Sequence, residues 1–359
     1  MDENIINSTI IGNGGKIIHY RVDKFIIDIC KGNCCFICGA KDSDKIFNNE
    51  HVWPNWLLRK FNLHKENIYL GNETNFKYSK YTTFCCAECN SRMGDEIETP
   101  VKEILSLPAK KIKSALEDSS KRLLIYQWFG LIFFKVHLIN KLFRMDRDKR
   151  IVDSKQIADH YDWSTLHKLH AVIRSFYTGV HVDDSAIGSL FAVESQNFFP
   201  ADSFDHMESY LTKSMFVRMN DISFFVAFDD AKRSMKAIRG ITNKIDHPLN
   251  RFQVWEVFAE LTDVVYRTIE NPIFLLKKDD SGYDYRLSCS YGELNLRPLD
   301  PRLRGQILAL STKWVDLGSR FTINGLTGDA AVRHLEKGTH SFLFDINGDF
   351  AAIEIKPSE

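Results

Sequence analysis

Two short cysteine pairs, "CFIC" (Cys35 and Cys38) and "CAEC" (Cys86 and Cys89), constrain this chain more than any other feature. A C-x-x-C turn aims two thiolates at one point, and two such turns complete a tetrahedral metal site. The 47 residues between Cys38 and Cys86 must therefore fold back on themselves, which predicts an inserted hairpin. Seven of the eight cysteines (Cys30, Cys34, Cys35, Cys38, Cys85, Cys86 and Cys89) fall within the first ninety residues; only Cys289 lies apart. In a reducing compartment, pairs clustered in this way act as metal ligands rather than disulfides. The expected set is Cys35, Cys38, Cys86 and Cys89 around Zn²⁺, with Cys34 and Cys85 as alternatives in the register. Four thiolates leave zinc no open position, so such an ion is structural and any chemistry needs other residues nearby.

The enclosed segment supplies them. In "EHVWPNWLL", residues 50–58, a carboxylate and an imidazole stand side by side, followed at once by two tryptophans and two leucines. Asn90 directly follows the last cysteine, at an expected helix start, and a shared metal brings it toward the inserted hairpin. Val52, Trp53, Trp56 and Leu57 are expected to pack the hairpin against the helix bearing the second cysteine pair, fixing where His51 points. Pro54 restricts the backbone just after the polar pair. Neighbours on a flat strand point to opposite faces, so Glu50 and His51 share one site only where the strand bends or twists strongly.

Taken together, "CFIC", "EHVWP" and "CAECN" resemble the HNH, or ββα-metal, endonucleases, in particular those on a zinc-stabilised treble-clef frame. "EHVxPxWL" followed by "CNxxMGxxxE" looks like a bacterial subgroup of that family, and the resemblance covers roughly residues 30–100. It implies Glu50 as first ligand of a divalent ion, His51 as general base and Asn90 as second ligand. It also implies a residue that orients the histidine; Asn72 and Asn75 are the nearest asparagines, while Thr82, Thr83 or a backbone carbonyl offer the same contact. Glu98 belongs to the pattern as an auxiliary, structural or substrate-orienting residue. The residue types suit phosphodiester hydrolysis: imidazole accepts a proton near neutral pH, and hard oxygen ligands suit Mg²⁺ or Mn²⁺. The implied substrate is DNA, with RNA left open, and bacterial proteins of this layout look like phage-defence or restriction effectors.

The rest of the chain reads as α+β. Residues 1–100 form the zinc-stabilised module, 101–180 a mostly helical, basic segment, and 181–359 a mixed α/β region of underived topology with a recognition or regulatory role. Apolar periodicity predicts helices over 98–117, 121–144, 164–177 and 252–266. Strands are expected at 189–195 and in hairpins turning at Asn220-Asp221 and Asn347-Gly348. The apolar run "LLIYQWFGLIFF", 123–134, is too short to span a bilayer and reads as a buried helix. The polar, acidic N-terminus does not read as a signal peptide, and a cytoplasmic protein without a membrane partner is expected. Lys+Arg and Asp+Glu both total 47, so global charge names no partner. Residues 101–150, however, carry twelve Lys and Arg against five acids, a credible phosphate-contacting surface beside a nuclease module. No phosphate-binding glycine loop is present, so ATP hydrolysis is not indicated, although a small-molecule or protein activator fits the large second region. The alternative reading is a zinc-structured nucleic-acid-binding protein without catalysis, in which Glu50 and His51 only position a backbone.

Overall fold

The computed structural model describes residues 5–197, 203–278, 284–312, 321–323, 326–339, 341–345, 347–351 and 354–355. The chain is mixed α+β and divides into two compact units. The first comprises Met1–Pro108, Ser114–Ile187 and Ile273–Ser290; the second comprises Ala109–Lys113, Gly188–Pro272 and Tyr291–Glu359.

In the first unit the strand Phe47–His51 pairs antiparallel with Thr82–Cys86, in a ladder that runs without a bulge from Phe47↔Cys86 to His51↔Thr82. The helix Ala87–Met93 follows the second strand at once, so the local order is strand, strand, helix. Between the strands lie the helix Asn55–Lys60, which starts behind Pro54, and a hairpin of Asn67–Tyr69 with Asn75–Lys77. The insertion between the cysteine pairs is thus larger than the single hairpin expected.

The centre of this unit is the helix Ser119–Ile139. Asp118 caps it, its carboxylate accepting from the N–H groups of Ser120 (2.9 Å) and Lys121 (3.0 Å). From Ile125 to Ile139 every residue is buried. A helix apolar on all sides has no solvent face to present, and only a core can accommodate it. It is long and apolar enough to cross a bilayer, but 89% of its most apolar window is already covered by the protein.

Other helices depart from expectation. The single helix over 98–117 is replaced by a π-helical turn Gly94–Glu98, the helix Thr99–Ile104 and, beyond Pro108, the helix Ala109–Ala115. Proline lacks an N–H and disfavours helical geometry in the residue before it, so the segment breaks there. The stretch 164–177 likewise divides into a 3-10 turn Trp163–Leu166 and the short helices His167–Ile173 and Ser175–Thr178, stopped at Gly179.

The second unit is built on a four-stranded antiparallel sheet, ordered Ser189–Glu194, Ile222–Ala227, Ser214–Met219 and Phe204–Ser209. The hairpin turns at Asn220, whose φ of 53° suits asparagine. The helix Arg251–Arg267 starts with a reciprocal cap between Asn250 and Gln253 and buries Phe252, Trp255 and Phe258 with Phe216 and Phe225 of the sheet. The expected C-terminal strand pair reduces to one bridge, Phe344↔Phe350, about the turn at Asn347 and Gly348. Of that stretch, residues 340, 346, 352, 353, 356 and 357 lie outside the described residues.

Candidate metal centre and adjoining polar site

The first cysteine pair sits in a turn closed by backbone bonds from Cys35 N to Ala40 O and from Gly39 N to Cys35 O, both 2.8 Å. Gly39 has φ +79°, and a Cβ there would lie 1.9 Å from the Tyr20 hydroxyl, so only glycine fits. Cys86 is the N-cap of the helix Ala87–Met93, where its sulfur accepts the Cys89 N–H at 3.5 Å, and Cys38 receives the Ala40 N–H at the same distance. The Sγ atoms of Cys35, Cys38, Cys86 and Cys89 all lie within 4.8 Å of one another. Zinc–sulfur bonds of about 2.3 Å imply tetrahedral edges of about 3.8 Å, and Cys38 and Cys86 stand 3.6 Å apart. The four sulfurs can hold a metal ion such as zinc.

The thiols also bind one another. Hydrogen bonds from Cys38, Cys85 and Cys89 drive Cys35 strongly toward thiolate, and donation to Cys35 pushes Cys38 up to about 12. A bound cation replaces those shared protons. Cys85, an alternative ligand by sequence, lies outside the four-sulfur group but only 3.7 Å from the Cys35 sulfur, and it is buried.

Glu50 and His51 end the strand opposite Thr83 and Thr82. The ladder stays regular through both, so alternation sends their side chains to opposite faces. Glu50 turns inward, where Lys135 of the central helix donates to its Oε1 at 2.7 Å. The same ammonium donates to the His51 carbonyl, also at 2.7 Å. Burial pushes the Glu98 carboxyl up to about 7, with Lys135 opposing the rise and Glu50 reinforcing it. Lys135 therefore serves two carboxyl groups. Sequence reading placed it in a phosphate-contacting basic stretch; it is buried and spent within the fold. Several neighbours are also paired within the chain: Arg122 with Asp184, Arg147 with Glu73 and Arg150 with Asp148.

The Asn90 amide donates to Asn48 Oδ1 at 2.9 Å, tying the helix to the strand two residues before Glu50 and on Glu50's face. Asn48 was not foreseen; its only sequence signal is that two-residue spacing. The His51 ring is half-buried. Desolvation lowers its pKa, with Glu50 and a backbone hydrogen bond at Ser79 acting against Lys135 and His64. Asn75 is exposed on the hairpin, paired in register with Tyr69, and Asn72 donates to the Arg144 carbonyl at 2.7 Å.

The apolar half of "EHVWPNWLL" anchors the polar half differently from expectation. Trp56 stacks on Trp128 of the central helix, ring centroids 6.0 Å apart, while Trp53, Leu57 and Leu58 are buried. Val52 N bonds to the Tyr81 carbonyl, extending the strand pairing past His51.

Among the described residues no other group of His, Cys, Asp and Glu converges as the four cysteines do. With the Lys135 ammonium on Glu50 Oε1, the arrangement seen is not a ready divalent-cation cradle. Fold and site together define a mixed α+β protein organised around a four-cysteine centre that can hold a metal ion. No family profile, no curated protein and no solved structure matches the chain.

Proposed function

We propose that the chain is a metal-dependent endonuclease of the HNH type that hydrolyses phosphodiester bonds in DNA, with His51 as general base. The observation that carries this reading is the convergence of the two cysteine pairs, which sets the helix bearing Asn90 against the strand bearing Glu50 and His51. Burial keeps the imidazole neutral at neutral pH, so a ring nitrogen is free to take a proton from water. The backbone at Ser79 holds the ring's orientation. Glu50 and Asn90 are the ligands proposed for Mg²⁺ or Mn²⁺, an ion that would neutralise charge on the phosphate. Loading it requires Glu50 to give up its bond from Lys135, while Asn90 would offer its Oδ1, the amide atom that Asn48 does not engage. The second unit is the recognition or activation part, and a phage-defence or restriction role follows by analogy alone.

The bonds Lys135–Glu50 and Asn90–Asn48 favour a second reading, a zinc-structured nucleic-acid-binding protein without catalysis. Supercoiled plasmid incubated with the protein and Mg²⁺ or Mn²⁺ separates the two. Nicking by wild type that vanishes in His51→Ala supports the nuclease. Retained DNA binding in wild type, His51→Ala and Asn90→Ala, without cutting by any of them, supports the second reading.

A further inference from the structure

Away from the cysteine centre, the first unit contains a cavity of about 490 Å³ that neither reading uses. Two ammonium-bearing side chains, Lys31 and Lys141, line it together with Asn33, Tyr161 and Trp163. Lys141 is half-buried, and its Nζ donates to the Gly32 carbonyl at 2.6 Å. Among the described residues no carboxylate lies within ion-pair distance of it, so a partly desolvated cation is left with donors to spare. Burial keeps the Cys30 thiol protonated. The Asp159 carboxylate, which also lines the cavity, is exposed and places Oδ2 on the Gln156 N–H (2.8 Å) in a reciprocal cap, so the lining carries two cations against one anion. Burial also lowers the Lys141 pKa, as expected of a cation short of a partner.

The aromatic side of the cavity is fixed in place. The Tyr161 hydroxyl accepts from Asn140 Nδ2 at 2.8 Å, and its ring meets Trp163 edge to face with centroids 5.4 Å apart. A cavity of this size, lined by two rings held by internal contacts and by two cations, matches a small ligand carrying a planar ring and an anionic group. Ammonium groups act as point charges toward phosphate, whereas the rings reward a flat apolar surface.

We propose that this cavity binds a nucleoside monophosphate or an anion of the same build, its phosphate between Lys31 and Lys141 and its ring toward Tyr161 and Trp163. Titration calorimetry of the full chain tests this with adenosine 5′-monophosphate and guanosine 5′-monophosphate as probes. Adenosine (ring without charge) and inorganic phosphate (charge without ring) are the controls. Expected is saturable binding of at least one nucleotide, tighter than either control, and quenching of tryptophan fluorescence. Lys141→Gln should weaken binding roughly tenfold or more, the loss of one charge-assisted contact. Lys31→Gln lies at an exposed rim and leaves the core untouched; it should weaken binding severalfold and serves where Lys141→Gln fails to fold. The proposal is overturned by absence of nucleotide binding at millimolar concentration, by a control binding as tightly as the nucleotides, or by Lys31→Gln binding like wild type. None of these readouts depends on DNA cleavage.

Discussion

Replacing Lys135 with methionine is the most informative single change the structure offers. The ammonium is 2% exposed and its Glu50 partner 11%, and it makes two bonds of 2.7 Å, one to a carboxylate and one to the His51 carbonyl. Methionine keeps the length and removes the charge, leaving Glu50 buried and uncompensated beside Glu98. Breaking one side of a buried pair costs about 3–5 kcal/mol, whereas removing both sides at once is often close to neutral. Lys135→Met should therefore lower stability by about that amount. Glu50→Gln should also be destabilising, because it strands the cation. The double variant should recover most of the loss, a coupling of at least about 2 kcal/mol. Urea unfolding followed by tryptophan emission is a suitable assay, because Trp53, Trp56, Trp128 and Trp163 all belong to the first unit. The Lys135→Met deficit should also shrink on acidification through about 7, as the Glu98 carboxyl takes up its proton and no longer needs a counter-charge. The reasoning fails if Lys135→Met stays within about 1 kcal/mol of wild type, or if the two single losses simply add in the double variant.

Native mass spectrometry should find one zinc per chain, and Cys89→Ser should abolish its retention; chelation should remove the cooperative unfolding of the first unit, since metal affinity and folding are coupled there. Gly39→Ala forces a side chain into left-handed backbone and against Tyr20, so it should cost more than about 2 kcal/mol and accelerate zinc loss to a chelator. Acid should weaken the first unit through its buried histidines, against an opposing gain from Glu98, whose raised carboxyl binds its proton in the folded state first. Burial, helped by His167, lowers His19 to about 4, and burial also lowers His167 and His170. An unfolded imidazole binds its proton first as pH falls through 6.5, so stability is full above that value and declines toward 4. The His19 share is about 3 kcal/mol by pH 4. Urea midpoints of a Glu98→Gln variant at pH 7 and 5, free of that opposing gain, should show the decline, and a flat profile there would contradict it.

The cysteine centre was legible in the sequence because its information is local: spacing within each pair fixes a turn, and thiolate chemistry names the kind of ion. The central helix was legible for a similar reason, since an apolar run on all faces leaves only one environment. What escaped were contacts between distant positions. Lys135 sits 85 residues from Glu50, and in sequence it only marks the end of an apolar run. Counting charge over 101–150 gave a basic stretch but was blind to the carboxylates and carbonyls that the fold delivers to it. Asn75 was chosen by proximity in sequence, yet the hairpin turns it outward. Breaks in helices were readable in principle at Pro108, whose effect is purely local; periodicity alone overrode it. The alternation that separates Glu50 from His51 was foreseen as a constraint, and the bulge-free ladder enforces it.

The long interval between the two cysteine pairs has a consequence for how the molecule is born. A ribosome releases "CFIC" far ahead of "CAEC", so for a time the nascent chain offers half a socket and a loose stretch rich in tryptophan. Only when the second pair emerges can an ion clasp both ends and draw that stretch onto its seat. If the centre takes zinc, its supply during synthesis should then bear on how many copies mature.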